Sequence, residues 1–146
     1  MKSDKKIKIG IDCHNLEGNR TGVGRYLQNI LENFCQIEEL KSKFLFYLYF
    51  KKEIPNDDFL KDSEIFIPKI TRIPKVKASF LLHYFLLIPF YYKKDRLDLF
   101  WFPCYMVPHT FRGNTLLTIH DLVYERYPET VPFRYRIFYK IFSKYG

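Results

Sequence analysis

The chain has 146 residues, with 24 Lys and Arg against 16 Asp and Glu and a formal charge of +8. Hydrophobic residues make up 47% and aromatics 19%, enough for one domain with its own core, which excludes a disordered chain. The basic balance favours anionic partners, but the cations are scattered rather than gathered on one element, so nucleic acid is not an expected partner.

Cys13, Cys35 and Cys104 are widely spaced and odd in number, which points to a reducing, cytoplasmic setting rather than a disulfide framework. Neither zinc-ligand spacing nor an Asp-x-Asp metal triplet occurs, so no metal site is expected. The Lys-rich start runs straight into a strand without an apolar signal core.

Residues 6–13, KIKIGIDC, alternate and then turn apolar, as a first sheet strand does. Residues 14–21, HNLEGNRT, are loop chemistry, with Thr21 placed to cap the next helix. Val23, Tyr26, Leu27, Ile30, Leu31 and Phe34 then recur at helical spacing, predicting a helix over 22–36. FLFYLYF at 44–50 reads as a strand with apolar and aromatic residues on both faces, Asn56-Asp57-Asp58 as a turn, and EIFIP at 64–68 as a third strand. A basic, Pro-containing loop spans 69–78, and a helix is predicted over 79–93, bent or ended by Pro89.

The apolar run at 80–92 is too short to span a bilayer, which needs roughly 20 residues. It reads as a helix packed on the sheet, with a membrane-facing surface beside the basic loop as the alternative. DLFWF at 98–102 and LLTI at 116–119 complete five strands, and a last helix is predicted over 133–145. The order β-α-β-β-α-β-β-α predicts an α/β fold: a Rossmann-like, mainly parallel sheet with helices on both faces. With strand order 3-2-1-4-5, the fifth strand would be an uncovered apolar edge.

Two constellations carry chemistry. In NRTGVGRY at 19–26, Gly22 and Gly24 open a helix whose free backbone N–H groups face outward, and Arg20 and Arg25 can add charge. Leu27 stands where a dinucleotide fingerprint has its third glycine, and no Gly-Lys-Ser/Thr comes after it. The second is His120-Asp121, directly after the fifth predicted strand. Parallel strands put their carboxyl ends on one side, so both loops should border one crevice.

GIDCHNLEGNRTGVGRYLQNIL, DLFWFPCYMVP and TLLTIHDLVYERYPETVPFRYRIFY together resemble family-4 retaining glycosyltransferases of the GT-B fold, in their N-terminal, acceptor-side domain. The resemblance runs from Ile9 to Tyr145. It implies two Rossmann-like domains facing across a cleft. The implied reaction moves a sugar from a nucleotide diphosphate sugar to a glycan or lipid-linked acceptor, with no resident cofactor or metal.

By this resemblance Gly22 and Gly24, with Arg25 beside them, border the donor diphosphate and the acceptor. His120 lies against the donor sugar, and Asp121 orients its loop. The family's C-terminal half carries two glutamates eight positions apart, and no such pair occurs here. The expectation is a single truncated N-terminal domain over 1–146, lacking its nucleotide-sugar-binding partner, inactive alone, and at most peripherally attached to a membrane. A non-catalytic binding module or split-gene partner, and a dinucleotide-dependent oxidoreductase, are the alternatives.

Overall fold

A computed structural model of the chain describes residues 5–61, 64–72, 79–108 and 110–133. Five strands form one sheet: β1 (Ile7–Asp12), β2 (Phe44–Phe50), β3 (Phe66–Ile70), β4 (Leu99–Phe102) and β5 (Thr115–Leu117). Their order is β3-β2-β1-β4-β5, and every pairing is parallel. This is the Rossmann-like α/β arrangement that the sequence predicts.

Both sheet faces are covered, because β2 and β4 carry apolar side chains at every position. Phe46, Leu48, Phe50 and Trp101 pack with Leu27 and Leu31 of α1 (Gly22–Phe34) on one face. Tyr47, Tyr49, Phe100 and Phe102 pack with Tyr84 and Ile88 on the other. A short helix, α2 (Glu38–Lys43), leads into β2 and has no counterpart among the predicted elements. None of its residues is buried, so it carries no apolar stripe to read. The predicted last helix lies outside the described residues from 134 onward.

Strand β3 continues through Pro68 to Ile70, two residues beyond its predicted end. Proline is tolerated because β3 is an edge strand and needs no donor on its outer side. The helix after β3 also continues past its proline. It runs as α3 (Ser79–Leu82), a π-helical turn (His83–Leu87) and α4 (Ile88–Lys94). The π turn is closed by the Ile88 N–H donating to the His83 carbonyl. Thr110 Oγ1 donates to the Phe85 carbonyl at 3.2 Å, the group four residues before Pro89 that proline cannot serve. Leu86 and Phe90 stay exposed on this helix. Among the described residues no helix is long and apolar enough to cross a membrane.

Among the described residues β5 ends the sheet, with Leu116 half exposed and Ile119 and Leu122 exposed after it. An apolar edge with unpaired backbone groups associates with other edges. The chain is therefore expected to self-associate with rising concentration. Leu116→Lys should shift sedimentation velocity toward monomer; an unchanged distribution would place the contact elsewhere.

Candidate functional site at the carboxyl edge of the sheet

Because all five strands run in one direction, everything just past their ends lies along one edge. His14 follows β1, Lys51 follows β2, Thr71 follows β3, Pro103 to Tyr105 follow β4, and His120 follows β5. Open α/β sheets bind ligands at this edge.

The glycine loop divides into parts with different work. Gly22 is exposed, and a Cβ placed there would meet nothing within 4 Å among the described residues. Gly24 is buried, and a Cβ there would stand 2.3 Å from the Asn15 carbonyl oxygen. Gly24 therefore serves close packing of α1 against the 3-10 turn His14–Leu16. Thr21 occupies the N-cap position but makes no side-chain cap bond, contrary to the expectation from sequence.

Arg20 is not a free cation. Its guanidinium pairs with the Asp57 carboxylate and donates to Gln28 Oε1, while its Nε donates to the Leu16 carbonyl. It ties the loop to the segment between β2 and β3. Arg25 stands exposed on the first turn of α1.

β5 stops at Leu117, so His120 lies three residues past the strand rather than directly on it. The Thr118 N–H still donates to the Phe102 carbonyl, and Trp101 Nε1 donates to Thr118 Oγ1, which carries the loop on in register. His120 Nε2 donates to the Pro103 carbonyl at 2.8 Å. That bond sets the tautomer, so Nδ1 of the neutral ring keeps its lone pair. The ring stands edge-on between Tyr26, 4.9 Å away, and Tyr105, 5.7 Å away.

Asp121 is fixed at both ends. Its backbone N–H donates to Tyr105 Oη at 2.9 Å, and its carboxylate accepts the Val123 N–H at 3.0 Å, opening the short helix α5 (Val123–Arg126). Tyr105 itself has φ of +23°, a backbone state disfavoured for an aromatic residue. Its phenol is pushed up by burial and by Asp121. Neither Tyr26 nor Tyr105 stands out in the sequence. The aromatic spacing of α1 assigns Tyr26 to packing alone, and Tyr105 sits in an irregular loop.

The largest polar construction at this edge has no sequence signal beyond its residue types. Asp12, the last residue of β1, is 2% exposed. Both its oxygens face His14 Nδ1, at 3.0 and 3.1 Å, and Oδ1 also accepts the His14 backbone N–H. Tyr84 donates its hydroxyl to Asp12 Oδ2. Behind them His83, fully buried, points Nε2 toward Asp12 Oδ1 at 3.6 Å and holds Thr71 Oγ1 on Nδ1 at 3.1 Å. The 3.6 Å separation is an ion-pair distance rather than a hydrogen bond, and His83 Nε2 has no hydrogen-bond partner among the described residues.

Burial alone would raise the Asp12 carboxyl. The charge and hydrogen bond of His14, with His83 behind, reverse this and hold it well below its ordinary value. Burial opposes the His14 imidazolium too, but Asp12 outweighs it and the ring titrates above its ordinary value. Burial and then Asp12 push the Tyr84 phenol well up. Among the described residues no group of three His, Cys, Asp or Glu could hold a metal ion.

No family model, curated protein or solved structure matches this chain.

Proposed function

We propose that the chain is the acceptor-side portion of a retaining glycosyltransferase, moving a sugar from a nucleotide diphosphate sugar to a hydroxyl acceptor. The observation that supports this best is the contact between Tyr26 and His120. It joins the glycine-opened helix α1 to the loop after β5, so a helix N-terminus and a tautomer-fixed histidine lie along one edge of the sheet.

The chemistry fits those parts. As the sugar–diphosphate bond breaks, negative charge grows on the leaving group and positive charge on the sugar ring. Free N–H groups around Gly22, with Arg25 beside them, would offset the first. Gly22 lets a ligand come close to the backbone, since nothing lies where its side chain would be. His120, held by Pro103 and flanked by two tyrosines, would hold the sugar through Nδ1 rather than act as sole base. Asp121 and Tyr105 set the loop that carries it.

The test is His120→Ala in a protein that carries the nucleotide-binding half, on the same or a second chain. Misplacing a bound sugar should lower turnover on the order of 100-fold, with thermal stability little changed. Unchanged turnover would remove His120 from the site, and failure to transfer from any nucleotide sugar in the unmodified protein would remove the reading.

A further inference from the structure

We propose that His14 is a second ligand-binding group on this edge, its Nε2 meeting a hydroxyl of a sugar or polyol, with Asp12 and Tyr84 as positioning residues. The ligand class rests on local geometry; that this ligand is the acceptor rests on the transferase reading.

Asp12 engages His14 through Nδ1 with both oxygens, which leaves Nε2 as the outward nitrogen. The His14 side chain is 21% exposed, against 3% for Asp12. The network is therefore closed around Asp12 and open at the His14 ring. A carboxylate on one imidazole nitrogen fixes the ring and strengthens whatever bond the other nitrogen makes. Asn15, the next residue, adds a buried Nδ2 donor without a partner among the described residues. Turn-closing needs do not account for these features. The His14 backbone N–H bond to Asp12 already closes the turn, and it requires neither the imidazole nor Tyr84.

The charges around the ring select the ligand. Asp12 comes from β1, Glu17 from the turn after it, Lys51 from the end of β2, and His83 and Tyr84 from the helix behind. Two carboxylates face one ammonium and the His14 ring, so no net positive field gathers to hold an anion. A hydroxyl can accept from Nε2–H or donate to its lone pair, and so suits the ring in either state. β1 and β5 are two strand spacings apart, roughly 10 Å. Ligand groups at His14 and His120 would thus occupy neighbouring subsites rather than the same one.

The experiment is a nitrogen-15 imidazole NMR titration of this chain with methyl α-glucopyranoside and methyl α-mannopyranoside, and with inorganic phosphate as a separate arm. His14→Gln assigns the resonance. A saturable shift of the His14 ring nitrogens with a glycoside, and none with phosphate over the same range, is the expected result. In His14→Gln, glycoside binding followed on backbone amides should weaken about tenfold or more.

Tyr84→Phe keeps the ring and loses only the positioning hydroxyl. It should weaken the same binding, and it serves if the glutamine variant does not fold. A response to phosphate in place of glycoside, or to neither, would overturn the proposal. If the His120 ring responds and His14 does not, this proposal fails while the transferase reading stands. If His14 alone responds, the proposal stands, and the His120 assignment is decided separately by the turnover of His120→Ala.

Discussion

Asp12→Ala is expected to cost ~3–5 kcal/mol of folding stability, the range for removing one partner of a buried ion pair, read from the midpoint of urea unfolding. The carboxylate is almost fully buried and receives His14 through two donors and Tyr84 through a third. Alanine would deprive a buried phenol of this acceptor and strip an imidazole of its counter-charge. A loss below about 1 kcal/mol would mean that water or a side-chain shift replaces the carboxylate.

The same pair gives stability a pH window. Asp12 titrates lower in the folded chain than its unfolded value near 3.9. Its contribution is full above that value and is lost as pH falls through the folded pKa. His14 titrates higher than its unfolded value near 6.5. Its contribution is full below that value and is lost as pH rises through the folded pKa. Glu17 also raises His14, while Lys51 lowers it. The pair therefore contributes most between about pH 4 and 6.5, and Asp12→Ala should flatten both limbs of the profile. An unaltered profile in the variant would assign the pH dependence to other groups.

Gly24→Ala is the second large effect, at roughly 1–3 kcal/mol of destabilisation from overpacking. The new methyl would stand 2.3 Å from the Asn15 carbonyl oxygen and 3.1 Å from Arg20 Cβ. A backbone oxygen cannot swing aside as a side-chain tip can, so α1 must lift from the turn beneath it. Gly22→Ala is the internal control. Nothing lies within 4 Å of its added carbon, and alanine gains up to about 1 kcal/mol of helix propensity over glycine. Two glycines that the sequence motif treats as a pair thus separate. Calorimetry of the two variants should move in opposite directions, and equal losses would refute the division.

How much of this is legible in the sequence depends on how far apart the cooperating residues lie. FLFYLYF discloses an interior strand because burial on two faces needs apolar residues at successive positions, and KIKIGID discloses one by alternating before it turns apolar. The spacing from Val23 to Phe34 discloses α1 because burying one helix face needs apolar residues at every third or fourth position. His120 and Asp121 are legible because a motif puts them side by side. Asp12 and Tyr84 are 72 positions apart, and Arg20 and Asp57 are 37 apart. No local pattern links such partners. Asp12 reads as the tail of a strand, and His83 as an interruption in an apolar run. Side-chain networks become visible only once the sheet order brings distant chain ends to one edge.

The π-helical turn has a consequence for how such an edge can be gained or lost. A π turn holds one residue more than the α turn it replaces. His83 and Tyr84 are consecutive, yet both are buried and both face Asp12. The turn begins at His83. Deleting one exposed residue within it, such as Leu86, would leave an ordinary α turn with the two flanks still in phase. Ile88 could then keep its seat on the sheet, while His83 and Tyr84 would lose the wide turn in which two consecutive residues face Asp12. A single codon therefore separates a helix that supplies this network from one that merely covers the sheet.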